Sequence, residues 1–302
     1  MWSLAKALPF RQMSPGAATW RPILIMTVRA VSITAVIVER VASAPVRLER
    51  RAGGVAILTL DAPKTRNALS PELLRALRGS VRELAADAPP DFRCLVLASS
   101  GRVFAAGADL RELRTRSVEK NLAYNQQIRD ALDAIATLPV PTIAALAGHA
   151  LGGGLELALA CTLRVAAVDA RLGFPEVKLG ILPAAGGTQR LPGIVGAGVA
   201  WRMLLTGEAI SAAQGLRWGL VDEVAPADEV LLRALELAET IAAAAPLAVR
   251  AVMRAVRTAA ATTAAEGIAY AHDQLPELLD SADHREGLAA FAERRPAHFE
   301  GA

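Results

Sequence analysis

The chain has 302 residues, 53% of them hydrophobic but only 4% aromatic, so it can bury a large core packed by aliphatic side chains and alanine. Its 33 basic and 30 acidic residues are interspersed, for a formal net charge of +3, and no long Lys/Arg run marks a nucleic-acid face; a nucleic-acid partner is therefore not expected. The two cysteines, Cys94 and Cys161, belong to no CxxC or Cys/His pattern and lie in apolar stretches, which reads as free buried thiols in a reducing compartment. The four histidines (His149, His272, His284, His298) are scattered and offer no zinc site.

Residues 1–38 carry Lys6, Arg11, Arg21 and Arg29 but no acid, the composition of a transit peptide. Three readings compete with that one. Pro22 to Val38 is mostly apolar, yet Arg29 interrupts it and its 17 residues reach only the low end of a membrane span. Ala42-Ser-Ala44 resembles a signal-cleavage site, with poor neighbours in Glu39, Arg40 and Pro45. Translation could also begin at Met26 or later. We take residues 1–45 as a leader that is disordered, targeting or a mis-start, favour the mis-start or the disordered extension, and rank export last.

The globular chain is expected to begin near Val46. Val55 to Leu60 reads as a strand, and Asp61 to Asn67 as a turn. Ser70-Pro71-Glu72 opens a helix with a Ser N-cap and Pro at the first position, running to about Ala86. Cys94 to Ala98 is a buried strand followed by a turn over Ser99 to Arg102. A helix covers Val118 to Thr137 and stops at Pro139-Val-Pro141, and Thr142 to Leu146 returns as a strand. Ala197–Leu205, Leu231–Ala244, Pro246–Ala260 and Thr263–Leu279 read as helices. Strands and helices alternate early and helices dominate late, which is an α/β pattern without an internal repeat.

Glu156 and Glu176 each close a glycine-marked apolar segment, His149-Ala-Leu-Gly-Gly-Gly-Leu-Glu156 and Leu172-Gly-Phe-Pro-Glu176. Carboxylates are rarely buried without compensation, so two in such company suggest a site that passes a proton to and from a substrate. On spacing alone, Glu156 reads equally well as a structural carboxylate paired with a buried Arg such as Arg164. The run Gly152-Gly-Gly154 lacks the Gly-Lys-Ser/Thr of a phosphate loop and the dinucleotide G-x-G-x-x-G spacing. At the start of a buried helix it suits an oxyanion, because bare N–H groups there carry partial positive charge. Phe104-Ala-Ala-Gly-Ala-Asp109 is either a turn with a helix cap at Asp109 or the source of a second donor, from Ala106. Gly186-Gly-Thr-Gln189 reads as a turn leading into a capped helix.

The order and spacing of these blocks resemble the crotonase family, the enoyl-CoA hydratase/isomerase superfamily, from about Val46 to Gly301. Arg66-Asn-Ala-Leu69 looks like the family's early CoA-holding loop, Gly186-Gly-Thr-Gln-Arg-Leu191 like its hydratase-type loop, and Asp283 to Phe299 like its closing helix. The resemblance implies a ClpP-like spiral of ββα units over residues 46–240 and a C-terminal helical region over 241–302 that serves oligomerisation, as a trimer or a pair of trimers. It implies Ala106 and Gly153 as oxyanion-hole donors. Substrate contacts would come from Arg66, Ala68, Ala106, Gly107, Ala108, Asp109, Leu110 and Gly152, with Leu110 to Gln127 along the acyl chain. The implied reaction is syn hydration of a trans-2-enoyl-CoA, with Glu156 as base on water and Glu176 handling the proton at the α-carbon. No metal and no redox cofactor is implied, since coenzyme A arrives as part of the acyl-CoA substrate. Within the family the rivals are a Δ3,Δ2-enoyl-CoA isomerase and a hydratase for branched substrates such as methylglutaconyl-CoA; outside it, a non-catalytic RNA- or CoA-binding homologue. The implied compartment is the cytoplasm, or the mitochondrial matrix if the leader is a transit peptide, with no membrane association. Thr162, and Ala184-Ala185 where a Gly-Ala pair is usual, depart from the family pattern and leave its catalytic groups in place.

Overall fold

Short aliphatic runs make the strands of this chain, and in the computed structural model they form two sheets. The residues described are 36–37, 45–86 and 92–302, so the targeting and start-site expectations for the leader lie mostly outside them. The larger sheet contains β1 (Val36–Ile37), β2 (Val46–Arg51), β3 (Val55–Leu60), β4 (Cys94–Ser99), β6 (Thr142–Leu146), β8 (Leu163–Ala167) and β11 (Glu223–Ala225), in the spatial order β1-β2-β3-β4-β6-β8-β11. From β3 to β11 the strands run parallel, while β1 and β2 add an antiparallel edge. The sheet therefore reaches ahead of Val46, into the segment expected to be leader. The smaller sheet has the order β10-β9-β7-β5, made by β5 (Val103–Ala105), β7 (His149–Leu151), β9 (Arg171–Gly173) and β10 (Ile210–Ser211).

Consecutive strands alternate between the sheets. β4 is followed by β5, β6 by β7 and β8 by β9, the first of each pair in the large sheet and the second in the small one. A helical stretch closes each turn: α2 (Leu110–Thr115) and α3 (Val118–Ala136) after β5, α4 (Gly153–Ala160) after β7, and α5 (Gly187–Thr206) after β9. This is the expected spiral of ββα units. The parallel strands are buried along their length, as the near-continuous apolar runs of β4 and β6 require. α1 (Pro71–Ala86) places Leu73, Leu74, Leu77, Val81 and Leu84 against the core, and its first turn is capped by the Ser70 hydroxyl.

After α6 (Ala212–Arg217) and β11, α7 (Val230–Ala242) packs across β4, β6 and β8. The helices beyond it are α8 (Pro246–Ala259), α9 (Ala264–Asp273), α10 (Leu275–Asp280) and α11 (Ala282–Glu293). The single helix expected over Thr263–Leu279 is two, because Pro276 lacks an N–H and its ring opposes the carbonyl one turn back. The chain end is tied down where buried Asp283 accepts N–H groups from Glu300 and Gly301. These last helices leave Val252, Val256, Ile268, Leu288 and Phe291 exposed, the last at 87%.

Candidate active site

The site forms where α4 begins, at the end of the small sheet. Gly152 precedes the helix with φ 53 and ψ −129, and its own N–H donates to the Gly173 carbonyl at 2.9 Å. A β-carbon on Gly152 would stand 2.8 Å from the Glu176 Oε1 atom, so glycine here keeps the carboxyl against the backbone. Gly153 opens the helix, and its N–H has no acceptor among the described residues, as expected for a first-turn amide.

The loop between β5 and α2 comes up against that helix start. Asn67, fully buried and in a left-handed conformation, accepts the Ala62 N–H and donates to the Ser100 and Val103 carbonyls. This fixes the early loop. Arg66, also left-handed and exposed at its side chain, offers its carbonyl to the Ala106 N–H at 3.1 Å, and the Gly107 carbonyl accepts from Leu69 at 2.9 Å. The Ala106 N–H is thus occupied, which corrects its expected role as an oxyanion donor. Two residues on, Ala108 lies beside the start of α4. A β-carbon built on Gly153 would lie 3.8 Å from the Ala108 nitrogen, and the Ala108 N–H has no acceptor among the described residues. Ala68 is buried in the early loop, while Leu110, at the start of α2, is half exposed. Asp109 caps α2 by accepting the Arg111 N–H; hydrogen bonding from the Arg111 side chain holds its carboxyl below the usual range.

Glu156 rides on the first turn of α4 and is 4% exposed. Its Oε1 accepts two backbone N–H groups, from Ala185 and Gly187, each at 2.8 Å. The Ala184-Ala185 departure therefore leaves the needed amide in place. The alternative pairing with Arg164 is overturned: that guanidinium donates to the Leu220 and Cys161 carbonyls and faces Asp222. Burial raises the Glu156 pKa, and the Gly187 and Ala185 amides, with the Arg190 charge, pull it back.

Glu176 sits in a 3-10 helix, Pro175–Leu179, ended by Gly180 with φ 73. It is 8% exposed, and its Oε2 is buried with no hydrogen-bond partner among the described residues. Burial is the main reason its pKa is pushed up to about 7, with repulsion from Glu156 adding to the rise. Two carboxyls thus stand beside one helix start in unlike settings: Glu156 accepts two backbone amides, whereas Glu176 leaves its Oε2 without a partner among the described residues and is able to hold a proton near neutral pH. Sequence reasoning had placed both glutamates and the glycine run, but not the Ala185 and Gly187 amides, nor the Arg190 and Asp133 side chains behind them.

The sequence profile of the Enoyl-CoA hydratase/isomerase family matches residues 50–302. The chain belongs to that family. Among curated members it is 42% identical over 255 residues to the enoyl-CoA isomerase/hydratase fer4 of Mycosarcoma maydis, covering 82% of this chain and 93% of that protein. It is 41% identical over 249 residues to the 2,3-dehydroadipyl-CoA hydratase of Escherichia coli, covering 82% and 95%. Among solved structures, the enoyl-CoA hydratase from Bacillus anthracis superposes with a TM-score of 0.83 at 35% identity, over 85% of this chain and all of that one.

Proposed function

We propose that this family member is an enoyl-CoA hydratase, adding water across the trans-2 double bond of an enoyl-CoA to give the 3-hydroxyacyl-CoA. The observation that carries the reading is the pair of buried glutamates in unlike environments beside one pair of free amides. Ionised Glu156 takes a proton from water as its oxygen bonds to C3. Glu176, protonated, delivers its proton to C2. Solvent then returns the proton from Glu156 to Glu176 as product leaves. As C3 is attacked, negative charge builds on the thioester oxygen, where the N–H groups of Ala108 and Gly153 receive it; losing one such donor typically costs ~10²–10³ in rate. Hydration of this kind calls on no metal or redox group.

An isomerase needs only one proton-carrying carboxyl, so a second buried glutamate, held by two backbone amides, favours hydration. The relative named for 2,3-dehydroadipyl-CoA makes enoyl-CoAs with a carboxylated chain worth including among candidate substrates. The exposed apolar side chains of α8, α9 and α11 support a homo-oligomer, a trimer or a pair of trimers, in which they are covered. Two buried free thiols fit a reducing compartment, and no helix among the described residues is long and apolar enough to cross a membrane. The test is turnover of a panel of enoyl-CoAs, followed as loss of the enoyl-thioester absorbance, with Glu156→Gln and Glu176→Gln alongside. Loss of the band that needs both glutamates supports hydration; double-bond migration that survives Glu156→Gln contradicts it.

A further inference from the structure

The turn that holds Glu156 is itself held from behind. Ala185 and Gly187 point their N–H groups at the carboxylate, and the carbonyls of the same turn point at Arg190. The Arg190 backbone N–H donates to the Gly186 carbonyl at 2.8 Å, and its Nη1 donates to the Ala185 carbonyl at 3.0 Å. Its Nη2 meets Asp133 on α3 at 2.7 Å. The peptide unit between Gly186 and Gly187 thus accepts from Arg190 at one end and donates to Glu156 at the other, an arrangement in which each hydrogen bond polarises the next. Gly186 permits this contact: its φ is 112, and a β-carbon there would stand 2.0 Å from Nη1.

We infer that Arg190, anchored by Asp133, is a positioning residue for Glu156, clamping the Ala185–Gly187 turn whose two amides hold the carboxylate. This rests on the proposed role of Glu156. The side chain of Arg190 is 23% exposed and touches no substrate-facing group of the site; it acts through the turn. A lysine could not make the same contact, because the planar fork serves the Ala185 carbonyl and Asp133 at once. The charged and titratable groups facing Glu156 are few. Glu176 approaches from the 3-10 helix, Arg190 from α5 with Asp133 behind it on α3, and Cys161 caps the C-terminal end of α4. Cys161 is a thiol that burial pushes up to about 12, hence uncharged. Among the described residues, Arg190 is the cation whose charge offsets part of the rise that burial gives the Glu156 pKa. Removing it raises the pH at which Glu156 ionises and moves the acid limb of the pH profile upward.

The experiment compares Arg190→Met, Arg190→Lys and Asp133→Asn for kcat, KM and the pH dependence of kcat/KM on an enoyl-CoA that the wild-type enzyme turns over. Arg190→Met is expected to lower kcat about tenfold or more, since small misplacement of a reacting group is costly. KM should stay within about twofold, and the acid limb should move up by about half a pH unit or more. Arg190→Lys should return the limb towards its wild-type position while kcat stays low. Asp133→Asn, at an exposed site that tolerates the change, should lower kcat several-fold without raising the limb. Wild-type kcat and pH profile in a folded Arg190→Met enzyme overturn the inference. If that variant does not fold, wild-type behaviour of both Arg190→Lys and Asp133→Asn overturns it. Glu156→Gln separates the two failures: full turnover there removes the role of Glu156 itself, whereas loss there with a normal Arg190→Met removes only the clamp.

Discussion

Replacing Glu176 by Gln is expected to lower kcat for hydration by at least ~10² and, above neutral pH, to stabilise the fold. The Glu176 carboxyl is buried, its Oε2 has no partner among the described residues, and its pKa stands at about 7 against an ordinary 4.5. Because the folded-state value is the higher one, the unfolded chain releases this proton first as pH rises. Folding stability is therefore lost through the window from about 4.5 to 7 and stays reduced above it. At about 1.4 kcal/mol per pH unit, the loss at pH 8 is ~3 kcal/mol. Gln carries no charge and loses none of this, though its amide meets the same unpartnered pocket, so a net gain of ~2 kcal/mol remains after a typical cost of ~1 kcal/mol for that group. The assay is urea unfolding of wild type and Glu176→Gln at pH 5 and pH 8, at one protomer concentration so that assembly does not enter the comparison. The gain should be present at pH 8 and nearly absent at pH 5. A variant less stable than wild type at pH 8, or an equal difference at both values, would refute the reasoning.

Glu156→Gln should lower kcat by at least ~10² with little change in unfolding midpoint, as for loss of an acid/base group; near-normal kcat would remove it from the chemistry. Gly152→Ala places a β-carbon 2.8 Å from the Glu176 carboxyl at a φ of 53, so kcat should fall more than about tenfold and stability by ~1–2 kcal/mol, measured by turnover and urea unfolding. The basic limb of kcat/KM for hydration should fall near pH 7, where Glu176 loses the proton it must deliver, and should vanish from the residual profile of Glu176→Gln. Light scattering at low micromolar concentration should give a trimer or a pair of trimers; a monomer with full activity would leave Phe291 and its neighbours as ordinary exposed residues.

Much of this was legible where the chain spells an element out at length. Val55–Leu60 and Thr142–Leu146 are strands with the bounds their aliphatic runs suggest, and Pro71–Ala86 is a helix opened by Ser70. The small sheet was not legible, because β5, β7 and β9 have three residues each, too few for alternation to register. The glutamates stood out as acids in apolar company. Which amide in Ala-Ala-Gly-Ala faces the ligand did not, since that depends on the Arg66 carbonyl having already taken the Ala106 N–H. The partner of Glu156 was equally hidden: Arg164 is near in sequence, but Asp222 and the Leu220 carbonyl claim it in space. Arg190 and Asp133 meet across 57 residues, a distance at which no local pattern pairs them.

The central claim is hydration, and the direct measurement is product analysis by mass spectrometry after incubating the protein with a short trans-2-enoyl-CoA in heavy-oxygen water. The expected result is a 3-hydroxyacyl-CoA carrying one heavy oxygen at C3, formed by the wild-type protein and at least ~10² more slowly by Glu156→Gln and by Glu176→Gln. Recovery of unlabelled enoyl-CoA across the substrate panel, or only a shifted double bond from a 3-enoyl-CoA, would contradict it.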